Sequence, residues 1–385
     1  MPRFPSQTPL RAELTGAVQD YFRRSGQDPH GGARMVLKTA AIFTWVAASY
    51  ASLLLWSQSW WTALPLCASL ALALAAVGFS VMHDGGHGAY SEGRRVNRLA
   101  AACLDLIGGS SFVWHHKHNV LHHTYTNVEG ADDDIEFHPF LRLSDGQPRY
   151  WFHAFQHLYW APLLLFLATK WVFVDDFVAL ARGEVGGHPL PTPSARELAW
   201  LLSGKLIFAV WAVLIPLLLV SPLAYLAGYA LVSGLLGLTL GVVFQLAHAV
   251  EGTSFFAPAP GGTLELPWAE HQLATTADFA RRNRLLTWFV GGLNHQVEHH
   301  LFPRVGHRHY PALAEIVRQV CARHGIVPHD HPTVAGALLA HVRHLRRLGR
   351  RAASPAPLPI PCAALGRDLP PEIPGIHEGR AVSSR

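Results

Sequence analysis

Residues Trp61–His87 read WTALPLCASLALALAAVGFSVMHDGGH, an uncharged apolar run from Trp61 to Met82 followed at once by His83-Asp84-Gly85-Gly86-His87. At about 1.5 Å of rise per residue, a helix over that run crosses roughly 30 Å of hydrocarbon. The two histidines stand four apart, so a helix continuing past Met82 carries both on one face. A membrane helix that ends in a pair of imidazoles sets the frame for the rest of the chain.

Upstream, Met35–Trp56 is nearly all apolar, interrupted only by Lys38, and only Ser57-Gln58-Ser59-Trp60 separates it from the run above. The two form a helical hairpin with an aromatic belt at its outer end. A second hairpin follows the same plan: Leu198–Val220, a turn at Ser221-Pro222, then Leu223–His248. The expected fold is all-α and integral to the membrane, with spans at about 35–56, 61–82, 198–220 and 223–248. Two further apolar stretches, Leu99–Trp114 and Leu158–Val174, are short and interrupted by Asp105, Gly108 and Gly109 in one and by Pro162 and Lys170 in the other. They read as interfacial or re-entrant helices.

The two hairpin turns contain none of the 31 Lys and Arg residues. By the positive-inside rule the N-terminal arm (1–32), the middle loop and the C-terminal region, and with them both termini, face the cytoplasm. If either disputed stretch alone crossed the membrane, the histidine clusters described below would fall on opposite sides. With four spans, residues 83–197 and 249–348 build one cytoplasmic helical cap. The arm carries one short helix around Leu10–Phe22, and Tyr310–His324 and Thr333–Leu348 read as helices lying on the anionic inner leaflet. Residues 349–385, rich in Pro, Ala and Arg, read as a disordered tail.

Composition agrees: half the chain is hydrophobic and only 15% is charged, too apolar for an ordinary soluble protein. The four cysteines form no CxxC pair, which argues against a disulfide framework or thiolate zinc site. The net charge of +5 comes with no basic, aromatic-interleaved module, so nucleic acid is not an expected partner. No removable signal peptide is apparent. The anomaly is 25 histidines against 26 Asp and Glu. Imidazole suits iron, copper and zinc rather than magnesium or calcium.

Three clusters hold the relevant histidines. The first is His83 and His87. In the second, His118-Asn119-Val120-Leu121-His122-His123, the first two histidines share a helical face and His123 is turned by about 100°. Neighbouring histidines at such an angle can reach different ions of a pair. The third, Asn294-His295-Gln296-Val297-Glu298-His299-His300-Leu301-Phe302-Pro303, repeats the device with His299 and His300. His248, at the end of the fourth span, is either an interfacial residue or a further ligand. Eight imidazoles exceed what one ion can take and point to two, with Gln296 or His295 as an open ninth ligand. Asp84, Asp134, Glu251 and Glu298, with the amides of Gln245 and Asn294, are candidate outer partners that hold the ligating rings.

The chain resembles the integral-membrane fatty acid desaturases, especially the branch with bacterial acyl-lipid, linoleoyl-CoA-type and front-end desaturases. The matching motifs are His83-Asp84-x-x-His87, Trp114-x-x-x-His118-Asn119-x-x-His122-His123-x-x-Thr126-Asn127, and Gly292-Leu293-Asn294-x-Gln296-x-x-His299-His300-Leu301-Phe302-Pro303. The resemblance covers roughly residues 33–325. It implies a four-helix stalk beneath a cytoplasmic cap with a non-haem di-iron centre, and it implies His248 as the ligand between the second and third boxes. Two departures stand out. The third box opens with Gln296 where the stearoyl-CoA-type branch has His, and Phe244 stands where that branch has an Asn near a metal-bound water, with Gln245 one position over.

The function implied is O2-dependent desaturation of a fatty acyl chain linked to lipid, CoA or carrier protein, in a multi-pass protein of a bacterial inner membrane. The sequence contains no haem module, no Cys-rich iron–sulfur motif and no GxGxxG, so an external ferredoxin, rubredoxin or cytochrome b5 with its reductase is the expected electron source. A fatty acyl or carotenoid hydroxylase would share the histidine boxes. A metal transporter would place ionisable residues inside the spans, where few occur.

Overall fold

The computed structural model describes residues 1–57 and 59–350. Of the expected tail at 349–385, Gly349 instead ends the last helix and Arg350 follows it, while 351–385 lie outside the described residues. The described chain is mostly helical, and four of its helices are long and apolar enough to cross a membrane: Gly32–Trp56, Trp60–His87, Ala195–Leu219 and Pro222–His248.

Helix α1 (Pro9–Ser25) begins on a proline and is closed by Gly26 in the left-handed region at φ +61°, where a residue without Cβ is unstrained. The sequence reads as a peripheral arm, but Leu10, Leu14 and Val18 form one stripe that is buried in the protein. Its partner is the apolar face of a later helix, which sequence periodicity alone does not identify.

Helices α2 (Gly32–Trp56) and α3 (Trp60–His87) pack on each other, joined by Trp45 Nε1 donating to Ser69 Oγ at 2.9 Å and by a 2.7 Å bond between Ser49 and Ser69. Within α3, Val77–Met82 adopts the wider i→i+5 winding before the helix resumes at His83. Such π-type turns are frequent at functional sites, where they re-aim the side chains that follow.

In the middle segment, α4 (Gln156–Leu164) carries one of the two disputed apolar stretches, and neither stretch forms a long helix. Both are tied to α5 (Ala195–Leu219) by one side chain. The Lys205 ammonium donates to Gly108 O at 2.6 Å, Val172 O at 2.9 Å and Asp176 Oδ2 at 2.7 Å. The cation in the middle of an apolar helix is thereby neutralised, and carbonyls in both stretches gain a donor. Ser194 caps α5 in a capping box with Glu197. Helix α6 (Pro222–His248) starts on a proline capped by Ser221, packs on α3, and presents Gly237 and Gly241 to the backbone and side chain of Leu164.

The last part of the described chain contains α7 (Gln296–Leu301), α8 (Tyr310–Arg323) and α9 (Val334–Gly349). Helix α8 packs between α1 and α7. The sequence reads α8 and α9 as leaflet-lying helices, but each buries a face in protein, Leu313 and Val317 on α8 and His341, His344 and Leu345 on α9. Among the described residues two small ladders interrupt the helices: Ala277–Phe279 runs parallel to His329–His331, and Glu184–Val185 runs antiparallel to His188–Pro189. The first positions the third histidine box, because Phe279 N–H donates to Asn294 O at 3.0 Å just before α7.

Candidate metal centre

The ends of α3 and α6, the segment His115–His123 and helix α7 meet in one buried cluster of imidazoles. His83, His87, His118 and His299 offer ring nitrogens that all lie within 4.8 Å of one another. His122, His248 and His300 form a second such group, and His123, His299 and His300 a third that joins the other two. The adjacent pair His299 and His300 divides between the first two groups, as the turn of about 100° between neighbouring residues on a helix dictates. His118 and His122 stay on one face, as their four-residue spacing reads: their rings stack with centroids 5.2 Å apart, and the two also group with Asp134, so this face spans both sets of nitrogens.

The donor chemistry fits metal ions. His118 Nε2 lies 3.2 Å from His83 Nε2 and 3.2 Å from His123 Nε2, so lone pairs converge with too few protons to separate them. The Nε2 atoms of His87, His122, His299 and His300 are buried without any hydrogen-bond partner. Orphaned nitrogens at that density would be strongly destabilising without a cation. Burial, reinforced by the neighbouring imidazoles, holds His118, His123, His299 and His300 well below the usual histidine range. They stay neutral, the form in which imidazole binds metal.

Gln296 and His295, left open by sequence, occupy different places. Gln296 Nε2 is 2.8 Å from His248 Nε2, and its Oε1 is buried without a partner. An amide turned by 180° would present oxygen to the same point. His295 instead stands 3.7 Å from Glu298 Oε2, beside buried Asp278. Burial pushes the Glu298 carboxyl up to about 7.

The second nitrogens of the rings are held by groups that the sequence reading did not assign. His122 Nδ1 lies 3.0 Å from Asp132 Oδ2, a carboxylate that is itself fully buried. Burial disfavours the His122 imidazolium, but Asp132, with Asp134 behind it, outweighs that effect and raises its pKa. His299 Nδ1 is 3.1 Å from the Tyr310 hydroxyl, His300 Nδ1 is 2.9 Å from Gln272 Oε1, and His248 Nδ1 is 3.2 Å from Thr275 O. In each case the Nδ1–H donates outward and leaves Nε2 free to face the centre. The Thr126 hydroxyl donates to Gln272 Oε1 at 3.0 Å, and Asn127 Nδ2 donates to His248 O at 2.9 Å. Of the two residues that close the second histidine motif, Asn127 therefore ties the second box to α6 and Thr126 ties it to the helix Trp268–Thr275 that carries Gln272.

The assigned outer partners mostly face elsewhere. Asp84 is 2.9 Å from His307 Nδ1, Asn294 donates to Thr287 Oγ1 at 3.0 Å, Glu298 pairs with His295, and Glu251 is exposed opposite Arg343. Gln245 is buried with its Oε1 unpartnered. Asp134 alone approaches a ligand, at 3.7 Å from His122. Among the missed residues, Asp132 had a signal, since it opens the Asp132-Asp133-Asp134 run ten residues after His122. Tyr310, Gln272 and Thr275 had none, because their partners lie across the fold.

Two aromatic rings wall the cluster. Trp114 stacks on His118 with centroids 4.5 Å apart and 21° between planes. Gly86 is what admits it, since a Cβ there would sit 2.2 Å from the indole. Phe244, the departure noted in the sequence, packs 5.2 Å from the His122 ring and 4.9 Å from that of His248.

Comparison with known proteins agrees with this geometry. The fatty acid desaturase family model matches residues 58–332. The chain is 36% identical to an sn-1 linoleoyl-lipid 6-desaturase of Arthrospira platensis, over 88% of this chain and 92% of the relative. A protein of the same description from Synechocystis sp. is also 36% identical, over 90% and 98%. An acyl-lipid (8-3)-desaturase of Physcomitrium patens is 38% identical, over 86% and 70%. The chain belongs to the fatty acid desaturase family, and it is an oxidoreductase that desaturates fatty acyl chains.

Proposed function

We propose that the chain holds two iron ions and uses O2 to desaturate acyl chains esterified in membrane glycerolipid. The observation that carries this reading is the convergence of eight imidazoles from three sequence boxes and the end of α6 on one buried volume. One ion would be held by His83, His87, His118 and His299, the other by His122, His248, His300 and Gln296, with His123 between them. The glycerolipid carrier, and a site of insertion near the carboxyl end, are supported by the relatives named as linoleoyl-lipid 6-desaturases.

Bound there, two irons supply reductive activation of dioxygen, a step beyond the reach of protein side chains. In balance, –CH2–CH2–, O2, two electrons and two protons become –CH=CH– and two waters. The protein's part is to fix geometry and exclude solvent. Asp132, Tyr310, Gln272 and Thr275 each hold an Nδ1 proton, so every ring they touch offers Nε2 inward. Trp114 and Phe244 close the flanks with aromatic surface packed on the His118, His122 and His248 rings. Burial of the whole cluster keeps water from the reacting methylenes.

The electrons come from an external one-electron carrier, a ferredoxin, rubredoxin or cytochrome b5, with its reductase. Helices α2 with α3 and α5 with α6 form two membrane hairpins, residues 83–197 and 249–348 form the cap, and both termini lie in the cytoplasm of a bacterial cell. The absence of Lys and Arg from both hairpin turns supports that orientation. The test is expression in a host with simple membrane lipids, followed by mass spectrometry of fatty acids with double-bond localisation. New unsaturation near the carboxyl end is expected. Hydroxylated chains, or unaltered lipids despite a working donor, would contradict the proposal.

A further inference from the structure

Away from the histidine cluster, the C-terminal end of α9 meets the start of α4 around a cavity of about 450 Å³. Its lining includes Arg149, Arg346, Arg350 and His157, with Phe155 and Leu158. The three guanidinium groups have no carboxylate within ion-pair distance among the described residues, whereas Arg347, beside them, is taken by Asp145 at 2.8 Å. The frame around them is built. Arg149 Nε donates to Gly349 O at 2.9 Å, which caps α9 and leaves both terminal nitrogens of Arg149 free. Buried Arg142 donates to Leu348 O at 2.8 Å, and Gln156 Nε2 to Leu345 O at 2.9 Å, fixing α9 against α4.

Capping of a helix C-terminus explains one arginine but not three. The C-terminal end of a helix carries roughly half a negative charge, so the cavity keeps a net positive charge. An anion is the fitting occupant.

Depth and surroundings say which anion. Leu164 packs on Gly241, where an added Cβ would lie 2.7 Å from its side chain. Gly241 is seven residues before His248 on α6, and His157 is seven before Leu164 on α4, so each stands about 10 Å along its helix from that contact. Trp160, four residues before Leu164, packs on His341, whose Nδ1 lies 2.6 Å from Ala249 O, so α4 runs antiparallel to α6 and the cavity lies about level with the histidine-bearing end of α6, at the rim of the hydrocarbon. Beside it Trp151, Phe155 and Leu158 are 78%, 55% and 69% exposed, far more apolar surface than water tolerates on one short segment. An arginine cluster bordering exposed Trp, Phe and Leu at that depth matches a phosphate headgroup with its acyl chains along the apolar side.

We propose that this cavity binds the headgroup phosphate of an anionic membrane glycerolipid, apart from the metal centre. The placement rests on the membrane reading of α6 and not on iron or desaturation, so failure of one is separable from failure of the other.

The test uses the full-length protein purified in detergent, with its melting temperature followed as lipid is added. Phosphatidylglycerol is expected to raise it in a saturable, salt-sensitive way, and phosphatidylcholine at the same mole fraction to do much less. An arginine at an anionic lipid surface contributes about five-fold in affinity. Arg346→Gln with Arg350→Gln is expected to weaken the phosphatidylglycerol response about 25-fold by that rule. Arg350→Gln alone, at an exposed position, is expected to weaken it about five-fold, should the double variant fail to fold. Arg94→Gln with Arg95→Gln, far along the chain, is expected to leave it unchanged. Equal responses to the two lipids, or an unaltered response in the double variant, would overturn the proposal. So would an equal effect of inorganic phosphate, which would make this a free-anion site. A raised KM for the electron donor with an intact lipid response would overturn it as well, by making the patch a protein-docking face.

Discussion

Asp132→Asn isolates what the outer partners do for the centre. The carboxylate lies 3.0 and 3.2 Å from His122 Nδ1, and it also accepts the backbone N–H groups of Asn127 at 2.9 Å and Asp134 at 3.0 Å. Oδ1 serves Asp134, Oδ2 serves Asn127, and both oxygens face His122. An amide has one acceptor, so in either orientation its NH2 is set against a backbone donor. A hydrogen bond to a charged group contributes about 1.5–3 kcal/mol, and a buried donor left unmade costs about 1–3 kcal/mol. Loss of a partner behind a metal-bound histidine typically weakens metal affinity 10–100-fold, or about 1.4–2.7 kcal/mol. The two scales agree, and an affinity loss near 30-fold, confined to the ion that His122 faces, is expected. The assay is iron content by mass spectrometry after dialysis against graded chelator, with the melting temperature read in parallel. Asp133→Asn is the control, because that side chain is partly exposed and pairs with Lys117 at 2.7 Å. The reasoning fails if Asp132→Asn retains wild-type iron affinity, or if Asp133→Asn loses as much.

Other substitutions test separate parts of the site. Gln296→Ala is expected to lower iron content, whereas His295→Ala should leave it intact and reduce thermal stability; the reverse pattern would exchange their roles. Tyr310→Phe removes the acceptor of His299 Nδ1–H and should weaken iron binding about ten-fold, the low end for such partners, as read by chelator competition. Gly86→Ala drives a methyl into Trp114 and should cost about 1–3 kcal/mol of stability together with most activity. A Gly86→Ala protein that melts and turns over like wild type would show that the close approach carries no weight. The pH dependence has a source outside the metal site in His344, which is buried, donates Nε2–H to Leu143 O at 2.9 Å, and is pushed down to about 3 by burial. Its folded value lies below the ordinary 6.5, so its contribution is present above pH 6.5 and is lost as pH falls toward 3, at up to about 1.4 kcal/mol per pH unit. The melting-temperature gap between wild type and His344→Gln should therefore narrow from about pH 7 to about pH 4.5; a constant gap would refute it.

Sequence carries much of this molecule because its chemistry is repetitive. Long uncharged runs have few ways to satisfy their backbone in lipid, so the four apolar helices are readable from hydropathy and turn residues alone. The ligand types are readable for a similar reason, since imidazoles at three- and four-residue spacing have few other uses. Angles were less legible. The wide winding at Val77–Met82 and His115–His122 leaves no composition signal, so its presence before and within two of the histidine boxes is not readable from spacing. The outer partners were least legible. Asp84 and Glu298 adjoin ligands in sequence but point to His307 and His295, while Tyr310 and Gln272 reach ligands from other elements. Helix α1 shows the same limit: its apolar stripe is visible, but the face of α8 that buries it is not.

The most direct test is a count of metal per chain. Full-length protein, purified without added metal from cells supplied with iron, should contain two irons per chain by inductively coupled plasma mass spectrometry. His299→Ala should retain expression but lose iron and activity together. A wild-type protein holding zinc or a single ion, or a His299→Ala protein that still desaturates, would contradict the account.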